Sequence, residues 1–247
     1  MTPHATDRPQ ADGSSAERAC PFCGGDAFVL KGTRPICEGC GAPPRARVAS
    51  LICRKIVRPG ARVLHFAPEV SLARQLVAVC GSGYEPVDIN PPRYAKLAGV
   101  ATVTRFDMCE DEPKGVYDLI IHNHVLEHVP CDYGAVLRRL HAAIRPGGGQ
   151  LFSVPMAAPS YREDLDPSLS KEERTRRFGQ YDHLRLFAVS DFAERLGVHV
   201  GLDAGYRLTD VLSPAELRRA AIPEPWDARW SIYAPKPPAG AQPAATH

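Results

Sequence analysis

The 247-residue chain predicts an α/β fold, a mostly parallel sheet covered by helices on both faces, preceded by a small cysteine-based metal module. Short apolar runs alternate with amphipathic helical runs from Ala61 onward. Ahead of that alternation, Cys20-Pro-Phe-Cys23 and Cys37-Glu-Gly-Cys40 stand thirteen residues apart. No run approaches the ~20 apolar residues of a membrane span.

The amino end, Met1 to Arg18, is polar, rich in Pro, Ser and Asp, and has no apolar core. It reads as disordered (residues 1–18) rather than as a secretory signal, so a cytoplasmic, reducing location is expected. The two CxxC turns then put four thiolates where they close a tetrahedron around Zn²⁺, each followed by a glycine that lets amides approach the sulfurs. A segment of 26 residues, 19–44, has too little apolar surface to fold without such a staple. Cys20, Cys23, Cys37 and Cys40 are the expected structural zinc ligands. The remaining cysteines, Cys53, Cys80, Cys109 and Cys131, stand singly in mostly apolar runs and read as buried thiols.

Residues 45–60 form the junction, a helix from Arg45 whose Val48, Leu51, Ile52 and Ile56 share one face. Strands follow at Arg62–Phe66, Tyr84–Ile89, Val100–Phe106, Tyr117–His122 and Gln150–Val154, with helices at Ser71–Cys80 and Tyr133–Ile144. Arg145-Pro-Gly-Gly-Gly149 reads as a helix stop and turn, because a phosphate cradle would precede a helix instead. Ala157 to Gln180 is a polar insertion whose mixed charges read as a solvated helical face. A helix at Val189–Leu196, a strand at Val198–Leu202, a helix at Ser213–Ala221 and a strand at Trp230–Ala234 bring the sheet to seven strands. A disordered tail is expected from residue 236 to 247.

Several pieces in fixed order carry a family resemblance: Val-Leu-His-Phe-Ala-Pro-Glu at 63–69, Val-Asp-Ile at 87–89, Phe-Asp-Met at 106–108, Tyr-Asp-Leu-Ile-Ile-His-Asn-His-Val-Leu-Glu-His-Val at 117–129, and Ile-Arg-Pro-Gly-Gly-Gly at 144–149. From Arg62 to Pro155 the chain resembles the class I S-adenosylmethionine-dependent methyltransferases. It looks similar to a subgroup with an amino-terminal zinc ribbon and a Phe-Gly-Gln-x-Asp-His segment, here 178–183. The resemblance implies a Rossmann-like methyltransferase fold over residues 61–235, with S-adenosylmethionine as cofactor at the carboxyl ends of the strands.

It also implies roles for particular residues. Asp88, followed by Ile89, is expected to accept from the ribose hydroxyls, and Asp107 to meet the adenine amino group with Met108 on the ring. Asn123 and His124 are expected near the methionine part, and His65, Ala67 and Glu69 in the first strand and turn. That turn departs from the usual pattern. Ala67, Glu69 and Ser71 stand where relatives have GxGxG, which removes freedom for positive φ. Glu69 is then either a ligand for the cofactor's ammonium or an acid in the first turn of a helix.

His124-Val-Leu-Glu-His128 also matches the HxxEH pattern of inverted zinc metallopeptidases. A strand ends just before it and Pro130 closes any helix after it, so that geometry is not expected. The segment Phe178–His183 is the candidate for acceptor contact, with His183 as general base and Asp182 holding it. The expected activity is methyl transfer to an O or N acceptor on a small molecule. Two alternatives stand beside it. One is RNA gripped by Arg34, Arg45, Arg47, Arg54, Lys55 and Arg58 around the ribbon, although stacking aromatics are scarce there. The other is a non-catalytic interaction protein with a decayed cofactor site. No membrane partner is expected, and the formal charge of +2 neither demands nor excludes a polyanion.

Overall fold

The computed structural model describes residues 18–156, 158–226 and 231–238. The disorder expected for residues 1–17 and 239–247 therefore lies outside the described residues, as do Ala157 and Trp230. An amino-terminal hairpin, β1 (Phe28–Lys31) and β2 (Arg34–Cys37), pairs antiparallel across Gly32, whose φ of 62° meets the demand of a two-residue turn. Helix α1 (Pro44–Ile56) follows, opened by its own proline at the first helical position.

The larger sheet is built from β3 (Val63–Phe66), β4 (Tyr84–Asp88), β5 (Thr104–Arg105), β6 (Tyr117–Asn123), β7 (Ile144–Ser153) and β10 (Ile232–Pro235). Helix α2 (Val70–Cys80) links β3 to β4, and α3 (Tyr133–Ala142) links β6 to β7. Across the sheet the order is β10-β7-β6-β3-β4-β5, all parallel except β10. Side chains alternate between two cores. Leu64, Phe66, Ile120 and Phe152 pack on the α3 side, while Val63, Leu119, Ile121 and Leu151 pack on the side of α1 and α2. Burial on both faces is why these strands read as nearly continuous apolar runs.

Beyond β7, β8 (Arg162–Glu163) pairs antiparallel with β9 (Arg185–Leu186), enclosing α4 (Lys171–Phe178). A π-helical turn, Ala193–Gly197, runs into α5 (Val198–Val200), and α6 (Pro214–Arg219) precedes β10. Among the described residues, no helix is long and apolar enough to cross a membrane.

Five sequence expectations are corrected. The strand expected at Val198–Leu202 is helical, because Gly201 turns left-handed and the Leu202 amide bonds back to Gly197 O at 2.9 Å; the described sheet has six strands, not seven. Pairing at Val100–Phe106 shrinks to Thr104–Arg105, since the Val100 and Ala101 amides bond to Leu97 O. Arg145–Gly149 is not a turn but the start of β7, bulged against β6 between Tyr117 and Leu119. It pairs with the carboxyl end through Gly147 N to Lys236 O and Lys236 N to Gly148 O, both 2.9 Å, and a Cβ on Gly148 would lie 2.6 Å from Asp118 O. Cys109 and Cys131 are partly buried and joined as a disulfide, tying the loop after β5 to the loop after β6. Within the charged insertion, Arg174 is buried rather than solvated and donates to the carbonyls of Asp164, Asp166 and His183.

Candidate functional site

The strand order reverses at β3, which has β4 on one side and β6 on the other. In open parallel sheets a crevice opens beyond the carboxyl ends of the strands at such a point. Four loops converge there, those after β3, β4, β5 and β6.

After β3 the chain makes its tight turn without glycine. Ala67 takes φ 48°, in the left-handed region that L-residues avoid, and its amide bonds to Val87 O at 3.0 Å. Pro68 follows, and Glu69 is the residue before α2, with no side-chain cap bond to the helix. Its carboxylate accepts instead from His65 Nε2 at 3.3 Å and faces Arg45 at 3.8 Å. Burial pushes the Glu69 carboxyl up, but the hydrogen bond and charge of His65, with Arg45, outweigh it and leave a net lowering. His65 is fully buried on the α2 side of the sheet, where Nδ1 and Tyr84 Oη share a hydrogen bond of 2.9 Å. It therefore supports Glu69 from below rather than lining the crevice.

After β4, Asp88 accepts from Asn90 N at 2.7 Å and from Tyr94 Oη at 2.6 Å. Both bonds hold the carboxylate in one orientation and leave lone pairs free, since an ionised carboxylate accepts about four hydrogen bonds. Desolvation, with Asp88 next, pushes the Tyr94 phenol up, so it stays a donor. Beside it Ile89 is 58% exposed, an apolar side chain open at the strand tip. After β5, Asp107 accepts from Cys109 N and faces Arg105, while Met108 is 5% exposed and packs in the α3-side core. Met108 thus forms part of the floor beneath this corner.

After β6, Asn123 is 4% exposed; its Oδ1 accepts from Ser153 Oγ at 3.1 Å, and its Nδ2 is buried without a partner. An orphaned buried donor at the crevice is an uncompensated cost that a ligand acceptor would remove. His124 follows with φ 53°, a second strained residue in this ring of loops. Its Nδ1 donates to Glu127 Oε1 at 3.1 Å.

The short 3₁₀ turn Leu126–His128 is held by a buried arginine that linear reading gives no sign of. Arg185 donates to Leu126 O at 2.5 Å, Val129 O at 2.6 Å and Glu163 Oε2 at 2.7 Å, with its guanidinium over the Tyr133 ring. Leu184 N bonds to Glu127 O at 2.8 Å alongside. This pairing draws the Phe178–His183 segment against the turn, so that the His183 and His128 ring centroids are 4.9 Å apart. The expected Asp182–His183 couple does not form. Asp182 serves His128, through its carbonyl O at 3.0 Å and its carboxylate at 3.7 Å, while His183 Nδ1 donates to Phe178 O at 3.2 Å. Desolvation lowers the His183 pKa and keeps the imidazole neutral near pH 7.

At the amino end, Cys20 Sγ lies 3.6 Å from Cys40 Sγ and Cys23 Sγ 3.5 Å from Cys37 Sγ. All four sulfurs fall within 4.8 Å of one another, close to the ~3.8 Å edge of a tetrahedron with Zn–S bonds of about 2.3 Å. The donor set fits a zinc ribbon. A Cβ on Gly39 would sit 3.2 Å from Cys23 Sγ, so glycine is what lets the second turn approach the cluster.

A family model described as a methyltransferase domain matches residues 58–203. No curated protein matches. Among solved structures, the 1,6-didemethyltoxoflavin-N1-methyltransferase of Burkholderia thailandensis is 22% identical, with 64% of this chain and 67% of that one covered and a TM-score of 0.46. An S-adenosylmethionine-dependent methyltransferase from Mesorhizobium loti is 16% identical, covering 62% and 80% at a TM-score of 0.44. The O-methyltransferase from a trans-AT polyketide synthase of Brevibacillus brevis is 15% identical, covering 63% and 51% at a TM-score of 0.41.

Proposed function

The chain belongs to the methyltransferase-domain family, as a class I S-adenosylmethionine-dependent enzyme, and from that premise we propose that it methylates an oxygen or nitrogen of a small molecule over the crevice at β3, β4 and β6. When bound, S-adenosylmethionine supplies an electrophilic methyl on sulfur, and in-line transfer then depends mainly on positioning.

The residues around the crevice suit the parts of that molecule. Asp88, pre-oriented by Tyr94, would accept from the ribose diol, with Ile89 against the adenine. Asp107 offers its second carboxylate oxygen near the adenine edge, above Met108. Ala67 and Glu69 would hold the amino acid end, His65 fixing Glu69, and Asn123 Nδ2 with His124 would complete that side. The observation that carries the reading is the orphaned Asn123 donor at the same strand tips as Asp88 and Glu69, a polar ring with one place unfilled.

The acceptor is placed on the far side, against His128 and His183, the group in which an acceptor proton would be received. His183 would receive that proton, while Asp182 braces His128 rather than His183. The ribbon would carry a structural Zn²⁺ on Cys20, Cys23, Cys37 and Cys40.

A small acceptor is favoured over RNA because the basic residues around the ribbon are largely engaged internally. Arg47 is fully buried and donates to Ala42 O, Ala220 O and Ala221 O. Arg54 is bonded to Pro21 O, Lys55 to Glu216, and Arg45 faces Glu69.

Calorimetric titration with S-adenosylhomocysteine tests the reading. The wild-type chain is expected to bind one equivalent, and Asp88→Ala to bind at least about tenfold more weakly, the loss of roughly 1.4 kcal/mol of charge-assisted hydrogen bonding. No binding by the wild type would instead favour the decayed-site alternative.

A further inference from the structure

A second group of ligating atoms lies outside the ribbon. One nitrogen each of His128 and His183 and a carboxylate oxygen of Glu127 fall within 4.8 Å of one another. Glu127 is fully buried, and only Oε1 has a partner, His124; Oε2 has none. A buried carboxylate with a bare oxygen is costly unless a cation meets it.

The imidazoles are oriented as metal ligands are. Each donates from Nδ1 to a backbone carbonyl, His128 to Asp182 O at 3.0 Å and His183 to Phe178 O at 3.2 Å. That bond fixes the tautomer and turns the lone pair of Nε2 outward, and neither Nε2 has a hydrogen-bond partner among the described residues. The supports are themselves braced: Arg185 clamps the turn carrying Glu127 and His128, and Arg174 donates to His183 O at 3.4 Å.

We propose that Glu127, His128 and His183 bind a divalent transition-metal ion, with positions left open toward the crevice for the methyl acceptor. Two imidazoles and one carboxylate suit Mn²⁺, Fe²⁺ or Zn²⁺ better than Mg²⁺ or Ca²⁺, which prefer oxygen ligands throughout. His124 and Asp182 are positioning residues, one steering the carboxylate and the other an imidazole.

The assignment rests on the reading of this crevice as a methyl-transfer site, and it specifies the acceptor: a hydroxyl, best one flanked by a second oxygen that can chelate. On coordination the hydroxyl loses its proton to solvent, the ion taking over the deprotonation for which His183 would otherwise serve as base. Its oxygen then bonds to the methyl carbon as the methyl–sulfur bond breaks, leaving a methyl ether and a thioether, with no change of oxidation state.

Electron paramagnetic resonance with Mn²⁺ tests this on the full chain with its ribbon zinc in place, because Mn²⁺ is the weakest competitor for four thiolates. The free Mn²⁺ signal is expected to fall by one equivalent per chain. Glu127→Gln and His128→Gln should each weaken that binding at least about a hundredfold, and Asp182→Asn about tenfold. His128 is half-exposed, so its variant tests the site even if the buried Glu127 variant fails to fold. Absence of stoichiometric Mn²⁺ binding, or equal affinity in His128→Gln, overturns the site. Titration with S-adenosylhomocysteine on the same samples separates the two readings. Nucleoside binding without Mn²⁺ sinks the metal site alone, and Mn²⁺ binding without the nucleoside sinks the methyltransferase reading alone.

Discussion

At Ala67 the chain accepts strain that a glycine would avoid. A left-handed conformation costs an L-residue about 1–2 kcal/mol, and Ala67 holds φ 48° because Phe66 ends a buried strand while Pro68 and α2 fix the exit. Replacing alanine with glycine removes that strain but frees the unfolded chain, at a cost of about 0.4–1 kcal/mol. Ala67→Gly is therefore expected to leave stability unchanged or raise it by up to about 1 kcal/mol, read from urea unfolding. A loss of about 0.4–1 kcal/mol, the entropy cost alone, would mean that the turn is not strained in solution. At this scale the sequence was informative about position, since Asp88 and Asn123 do stand at the ends of β4 and β6. It was uninformative where partners come from afar: nothing near Asp182 says that it serves His128, since the choice is made by the Leu184–Glu127 backbone pairing.

Among the elements, the ribbon has the least to hold it together without metal. Its buried apolar residues are Cys20, Cys37 and Ala42, with Phe22 and Phe28 partly covered. Its contacts with the rest of the chain are mostly polar, Ala19 N to Arg219 O at 2.8 Å and Arg54 to Pro21 O, with Phe22 alone of its aromatics packed against the α1-side core, while Arg47 reaches from α1 to Ala220 and Ala221. These anchor it to the α6 end without supplying a core. Cys37→Ser is expected to lose the bound zinc equivalent and open residues 19–43 to limited proteolysis, while the sheet domain keeps its far-UV circular dichroism and melting transition. Stoichiometric zinc in the variant would refute the four-thiolate set. The CxxC spacing made this element legible because its folding rule is local. The Arg145–Gly149 segment was not, because its glycines are set by close approach: a Cβ at Gly149 would lie 2.2 Å from the Tyr233 ring, contributed by a strand more than eighty residues away.

Across the whole molecule, two cores share one sheet, and polar side chains trapped between sheet and helices set how the fold responds to acid. The alternation of apolar runs announced this architecture, since it depends only on period and order, but not which histidines would be enclosed. His122 is fully buried, stacked on Phe152 at 4.8 Å, and accepts from Gln150 Nε2 at 2.8 Å. Burial pushes its pKa down to about 3. His141 and His199 are lowered from the same first cause, desolvation. In the unfolded chain a histidine titrates near 6.5, so below that pH the unfolded state binds protons that the folded state refuses. The stability from keeping His122 neutral is thus complete above about pH 6.5 and is lost as pH falls from there toward 3, by roughly 1.4 kcal/mol per unit where the difference is a full proton. The lowered carboxyls, Glu69 and Glu216 among them, act with the same sign in a lower window, losing their contribution only below about pH 4.5. Urea unfolding between about pH 7.5 and 5 therefore isolates the histidines. His122→Asn is expected to reduce the slope of unfolding free energy against pH near pH 5 by about one proton, whatever its effect on stability at neutral pH. Parallel pH profiles for the two chains would show that His122 takes up its proton in the folded state as readily as in the unfolded one.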